Sequence, residues 1–472
     1  MQWLDRVLER NPDALEARFE RAGLLREQGS FEAAKRDYLE LICRRPTDFA
    51  ALNDFGTLVL KAGYREAARS LFSEAVRHHP NNPNGHVNLA NLLFLLGEQT
   101  QAQAHFETAL RLDPDHIHAH RGMGNLLAEI GDAAAARRHR DKGFKDHYLT
   151  TLPYHGDAPP ISVLLLVAAA GGNIPTSSLL DDRHFQTTVL VAEYYDINVP
   201  LPPHDLVFNS IGDADLCREG LDAACAVLAR PQRPVINHPG AVLASGRAAN
   251  AQRLRGLPNV VVPRMAMVPR HLLGGPQAGA VIADNEIAFP VLLRAPGFHT
   301  GRHFVRVETA GQLAAAATEL PGDAVWLIEQ LDARDVKGMF RKYRVMFVDR
   351  KLYPLHLAIS RDWKVHYFTA DMTDCPENRA LDAAFVKNIN IIGFKGVAAL
   401  ERIRAALALD YGGIDFAVDR NGDILFFEAN ATMVIYPPVL EPKWAYRRPA
   451  VEAVLAAVRT MLMARSITDN AA

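Results

Sequence analysis

Three oxygen-bearing side chains late in the chain, Asp415, Glu428 and Asn430, stand at spacings that suit a hard divalent cation. Residues 414–418 form an apolar run with one acid, Asp415, inside it. Residues 419–423 are turn chemistry with Asn421 and Gly422 at the tip, and a second apolar run, 424–427, ends in Glu428 and Asn430. A carboxylate within an apolar strand is costly unless it is paired or bound to metal. Residues two apart on a strand project to one side, so Glu428 and Asn430 share a face, and across a hairpin Asp415 can oppose them. Three hard oxygens with no His or Cys beside them suit Mg²⁺ shared with phosphates. The plainer alternative is a hairpin whose acids are solvated edge charges.

Basic residues precede this hairpin in a suggestive order. A strand-like run, 289–294, ends in Arg294, followed by a loop with Gly297, Gly301, Arg302 and His303 that returns to a strand at 304–307. Glycines let a loop press its backbone amides against phosphate oxygens, although a glycine hairpin with basic residues is more often only a hairpin. Residues 326–331 (WLIEQL) read as another strand, and 342–348 with 351–359 as a further hairpin bearing Arg344 and His356, with Arg361 just beyond. His356 reads equally well as a satisfied strand histidine.

These residues need scaffolds, and the composition bounds them. The chain has 472 residues, 49% of them hydrophobic and 22% charged, enough for about three ordinary globular domains. A net charge of −2 gives no overall field toward nucleic acid or an acidic membrane. Cys43, Cys217, Cys225 and Cys375 are widely spaced without a CxxC, which fits a reducing cytoplasm better than a disulfide framework. The opening MQWLDRVLERNPD lacks an apolar core, so no signal peptide is expected, and the ten apolar residues at 161–170 are half a membrane span.

The first third repeats. Pro12, Pro46, Pro80 and Pro114 are 34 residues apart, as are Gly29, Gly63, Gly97 and Gly131, and Ala34, Ala68, Ala102 and Ala136. Ala22, Gly56, Ala90 and Gly124 form a fourth series. Small residues let paired helices approach, glycine turns the chain, and proline stops the second helix. Tyr38, Phe72 and Phe106 share a slot that Arg140 fills in the last repeat, as a polar solenoid cap should. Residues 3–11 read as a lone second helix. The period resembles the tetratricopeptide repeat. In that register Asn53, Asn88, Asn91 and Asn125 fall on first helices at positions that usually face the groove, where their amides could bind a peptide or protein backbone; bridging between helices is the equal alternative.

A proline-rich stretch, 148–160, reads as a linker. Alternating strands and helices then argue an open α/β domain over 161–260. Gly-x-Asp, a short hairpin, then Glu-x-Asn resembles the metal-binding end of the ATP-grasp superfamily, in its glutathione-synthetase-like and ribosomal-modification-like branches. The resemblance implies an all-α solenoid, an α/β pre-ATP-grasp domain, a small lobe over 261–325 with a phosphate lid, and a large lobe over 326–466. It implies Mg²⁺ on Asp415, Glu428 and Asn430. It implies ATP held by Arg294, where the family usually has lysine, and by Gly297, Gly301 and Arg302. Glu329, Gln330 and Leu331 would meet adenine, and Asp335 the ribose. Arg344 and Arg361 would hold the transferred phosphoryl group. The implied activity is a carboxylate–amine ligase releasing ADP, acting on a peptide or protein with a small amine or amino acid as possible partner. A grasp-fold kinase, or an interaction protein with a non-catalytic nucleotide site, are the alternatives.

Overall fold

The computed structural model describes residues 1–229, 233–298, 301–365, 370–435, 438 and 441–467. The chain divides into two compact units, Met1–His147 and Tyr148–Ala472.

The first unit is helical: α1 (Gln2–Arg10), α2 (Leu15–Glu27), α3 (Phe31–Arg44), α4 (Phe49–Lys61), α5 (Arg65–His78), α6 (Pro83–Leu95), α7 (Gln99–Leu112), α8 (Ile117–Glu129) and α9 (Ala133–Phe144). The 34-residue period is physical. Asp48, Asn82 and His116 cap the first helices of successive repeats by accepting a backbone N–H each. Gly29, Gly63, Gly97 and Gly131 take positive φ, and the next residue's N–H bonds five residues back, closing each first helix. A Cβ on Gly56 would stand 2.5 Å from the Phe72 ring, so glycine there admits the aromatic of the partner helix. One further contact recurs with changed chemistry. Arg18 donates to the Pro12 carbonyl and pairs with Asp37. At the same places His86 and His120 bond the Pro80 and Pro114 carbonyls through Nε2, while their Nδ1 atoms meet His105 Nδ1 at 3.0 Å and His139 Nδ1 at 2.9 Å. Leu52 and Leu71 occupy these places in the second repeat.

The second unit contains three sheets among the described residues. The first is built from β1 (Leu149–Thr151), β2 (Ile161–Val167), β3 (Phe185–Val191), β4 (Leu206–Asn209) and β5 (Val235–Ile236), in the order β1-β3-β2-β4-β5. β2 to β5 run parallel, while β1, inside the stretch expected to be linker, pairs antiparallel with β3. Parallel strands are covered on both faces. Leu164, Leu166 and Val207 join one core with Leu221 and Phe416; Val163, Leu165 and Phe208 join another with Val454 and Val458 of the long helix Arg448–Ile467.

After β6 (Val260–Val261), strands β7 (Met265–Pro269), β8 (Val291–Arg294), β9 (Phe304–Val307) and β10 (Ala324–Glu329) make a small antiparallel sheet ordered β7-β10-β8-β9. The WLIEQL strand, expected to begin the large lobe, is thus interior to this small sheet. The large sheet joins β11 (Phe340–Val348), β12 (Lys351–Ser360), β13 (Tyr411–Val418) and β14 (Ile424–Asn430), ordered β12-β11-β13-β14-β6. Two bulges interrupt it, where β11 passes from Arg344 to Val345 and where β13 passes from Asp415 to Phe416.

Candidate active site

The second bulge decides which face of the sheet carries Glu428. Val418, Ala417 and Phe416 pair with Ile424, Leu425 and Phe426, and unbroken alternation would then set Glu428 opposite Ile414 in the apolar core. Phe427 is instead extra, and Asp415 pairs with Glu428. The burial pattern follows: Ile424, Phe426 and Ala429 lie in the core with Ile414 and Phe416, whereas Leu425 and Phe427 lie on the other side with Ala417. The bulge at Arg344 does the same for β12, so Arg344 pairs with both His356 and Asp415. The result is a polar row across four strands, His356, Arg344, Asp415 and Glu428. Gly413, paired with Asn430, leaves room for the turn after β14, since a Cβ there would stand 2.5 Å from Met433.

Asp415 is 1% exposed. Arg344 binds both its oxygens, at 2.6 and 2.8 Å, and Lys342, on the same face of β11, lies 3.2 Å away. Burial opposes the charged carboxylate, but Arg344 and Lys342 outweigh it and hold Asp415 well below the usual carboxylate range. Glu428 accepts from Arg247 at 2.7 Å. Burial and Asp415 raise it, while Arg247, Arg294 and Lys342 carry it downward overall. Burial, with Arg344 adding, drives His356 far below the ordinary histidine value, so it stands neutral. Asn430 Oδ1 accepts the Thr432 N–H at 3.0 Å and its hydroxyl at 2.7 Å. Asp415, Glu428 and Asn430 are therefore brought together as the sequence suggests, but each is already engaged by a cation or a hydrogen bond. Lys342 and Arg247 were not singled out from the sequence. The two-residue spacing from Arg344 marks Lys342; nothing local marks Arg247, which comes from the helix Arg247–Leu254.

The small sheet adds Arg294. It ends β8, reaches the Phe298 carbonyl at 2.6 Å and lies over the Phe304 ring. Burial, with Arg247 adding, pulls its guanidinium downward, while Glu428 opposes that shift. Gly297 and Gly301 both take positive φ in the loop between β8 and β9, Arg302 lies over Phe298, and residues 299–300 of the loop fall outside the described residues. Trp363 packs edge-on against Phe304 and Lys364 bonds its carbonyl, so the segment after β12 rests on this hairpin.

The remaining candidates are more scattered. Glu329 accepts the Arg264 backbone N–H at 2.9 Å. Gln330 keeps a buried Oε1 without a hydrogen-bond donor among the described residues, while Leu331 packs with Ala333, Leu425 and Phe427. Asp335 closes its own turn, accepting from Lys337 and Met339 backbone N–H groups and from Arg341. Arg361 is exposed, with its backbone N–H on Asp371.

Beside Glu428 lies a small cleft of ≈ 50 Å³, lined by Asp213, Asp215, Arg247, Asn250, Asn430 and Thr432 among others. It has room for a few waters or a small polar group, not for a nucleotide.

On the helical unit, Asn88 donates to Asn53 at 2.5 Å, so these two amides already satisfy each other in part. Asn91 and Asn125 are exposed. Tetratricopeptide-repeat profiles match residues 3–49, 83–116 and 100–139. Similar solved structures include PilF of Pseudomonas aeruginosa (22% identity over 30% of this chain and 64% of that one, TM-score 0.28). They also include MamA of Desulfovibrio magneticus RS-1 (19%, 30% and 81%, 0.28). A third is YrrB, a TPR protein with an unusual peptide-binding site (19%, 31% and 77%, 0.27). No curated protein matches the sequence. The N-terminal unit is a tetratricopeptide-repeat region, followed by a mixed α/β region of three sheets.

Proposed function

We propose that the α/β unit is an ATP-dependent carboxylate–amine ligase of the ATP-grasp type, working on a peptide or protein presented by the repeat region. The observation that carries this reading is the row Arg344–Asp415–Glu428 with Arg294 and Arg247 at its end. Two carboxylates stand among four cations, Arg344, Lys342, Arg294 and Arg247, and that surplus of positive charge suits a polyphosphate. The donor set also suits magnesium. Glu428, Asn430 and Asp415 offer only hard oxygens, and Glu428 has 29% side-chain exposure whereas Asp415 is buried. Bound there, the ion would neutralise charge on the β- and γ-phosphates. Arg294 and the amides of Gly297 and Gly301 would hold the triphosphate, and Gln330, whose Oε1 is buried without a donor among the described residues, would offer the base a polar partner.

The protein's part is positioning. A substrate carboxylate oxygen attacks the γ-phosphorus, the bond to the bridging oxygen breaks, and ADP leaves. An amine nitrogen then attacks the acyl carbon, the carbon–oxygen bond breaks, and inorganic phosphate leaves with a proton passing to solvent. Arg344, fixed by Asp415 from one side and backed by neutral His356 on the other, supplies a rigid guanidinium for the transferred phosphoryl group.

A second reading has its own observation: both oxygens of Asp415 are taken by Arg344 and Lys342, as in a site that binds nucleotide without turning it over. ADP release by the full chain, measured with Mg·ATP against peptide and amino-acid pools, separates the two. Glu428→Gln is expected to lower that release at least 100-fold with the melting temperature within about 2 °C, since one partly exposed ion pair contributes at most about 1 kcal/mol. ATP binding with no release under any pool favours the second reading, and release at the wild-type rate in the variant removes Glu428 from the chemistry.

A further inference from the structure

The second helix of the last repeat differs in charge from its counterparts. α3 carries three cations and three acids, α5 three and two, and α7 one and one, whereas α9 carries four cations and one acid. Lys145 follows directly, so residues 137–146 hold five cations against Asp141 and Asp146. Arg138, Lys142 and Lys145 stand at i, i+4 and i+7, so they share one face, and all three are exposed. None of them has an ion pair among the described residues. Arg121 of α8 adds a further cation nearby. It donates to the Gly143 and His147 carbonyls at 2.9 and 2.8 Å and lies 4.4 Å over the Phe144 ring, so it too is met by neutral groups and not by a carboxylate. The helix dipole accounts for cations in the last turn, at Lys142 and Lys145, but not for Arg138. Like charges four apart repel on a helix, so the stripe costs stability that an anion would restore.

The surroundings narrow the anion. α9 exposes no large apolar side chain that could enter a lipid layer. Its one aromatic ring, Phe144, lies under Arg121 and is not open to a nucleic-acid base. Along the helix the three cations rise by about 6 Å and then about 4.5 Å, close to the roughly 6.8 Å between alternate side chains of an extended peptide. We propose that the exposed stripe of α9 docks an extended acidic peptide segment, with alternate Asp or Glu carboxylates on Arg138, Lys142 and Lys145. The stripe stands on a second helix, whereas Asn53, Asn88, Asn91 and Asn125 stand on first helices, and it does not rest on the ligase reading.

The test is binding to the full chain. Fluorescein-labelled hexaglutamate is titrated by anisotropy beside labelled hexaglutamine and a labelled oligodeoxythymidylate of the same length, and vesicles of phosphatidylcholine with phosphatidylserine are tested by co-sedimentation. Hexaglutamate is expected to bind, and hexaglutamine to bind about 10-fold more weakly or less. The triple variant Arg138→Gln, Lys142→Gln, Lys145→Gln should weaken hexaglutamate by about 10-fold with an unchanged melting temperature, since three exposed ion pairs are lost. A matched triple variant of exposed cations elsewhere in the repeats, Arg36→Gln, Lys61→Gln, Arg111→Gln, should stay within about 3-fold of the wild type. No binding of hexaglutamate, an equal loss in both triple variants, or tighter binding of the oligonucleotide or the vesicles overturns the proposal.

Discussion

Asp415 is the position where the structure makes the sharpest demand. Asp415→Asn changes almost no volume but leaves the half-buried Arg344 and Lys342 without their buried counter-charge. Breaking a buried, bidentate pair from one side costs about 3–5 kcal/mol, because the remaining ion is stranded. For a unit of this size, at roughly 2 °C per kcal/mol, that is a fall of about 6–10 °C in melting temperature. Urea denaturation followed by circular dichroism measures it directly. The second variant, Asp415→Asn with Arg344→Met, removes the stranded charge and is expected to recover at least half of the loss, as paired removal of buried ions commonly does. The sign with pH is also fixed. Asp415 is held below its ordinary 3.8, so its stabilisation is complete above that value and is lost as the solution is acidified below it. The single variant should therefore show a flatter acid limb than the wild type. A loss under about 1 kcal/mol, or a double variant no more stable than the single, would refute the view that this row is a tightly coupled buried unit.

Other expectations can be checked independently. Arg294→Lys is expected to keep ATP affinity within about 3-fold and Arg294→Ala to weaken it at least 10-fold by calorimetry; an unaffected alanine variant means that Arg294 serves only the Phe298 carbonyl. In the repeat region His105, His120 and His139 are held below the ordinary 6.5 by burial, so the unfolded chain binds more protons and stability falls as pH drops through 6.5. A melting temperature of the isolated transition that does not move between pH 7.5 and 5.5 contradicts this, and His105→Gln with His139→Gln should flatten the profile. Asn91→Ala with Asn125→Ala, both exposed, is expected to raise the KM for a peptide substrate several-fold with little change in melting temperature; equal KM values assign these amides to the helices alone.

The repeat region was legible because its signals are local and recur: capping residues, positive-φ glycines and the small-residue slots each act within one or two helices. Most strands of the α/β region were legible from local apolar runs, with ends shifted by up to three residues, but β7 was not anticipated. The site was legible only in part. Asp415 and Glu428 oppose each other because of a bulge at Phe427, and side-chain parity counted from the Asn421-Gly422 turn places Glu428 on the wrong face. A bulge is set by the neighbouring strand, which no window of sequence contains. Arg247 and Asn250 were missed because their partners are 181 and 179 residues away. Leu149–Thr151 was read as linker because prolines follow it, whereas its hydrogen bonds come from β3.

The histidine pairs set the third and fourth repeats apart within the solenoid. Ordinary repeats share small residues because any close-packed helix pair needs them, so those positions do not distinguish one repeat from the next. A pair of imidazoles joined through Nδ1, one of them also anchored on a proline carbonyl, is a solution that packing alone does not impose. In the first repeat Arg18 donates both to the proline carbonyl and to Asp37, and the second repeat has two leucines at these places. Its presence twice, 34 residues apart, gives the third and fourth repeats a polar seam in common, where the first has an ion pair and the second an apolar contact.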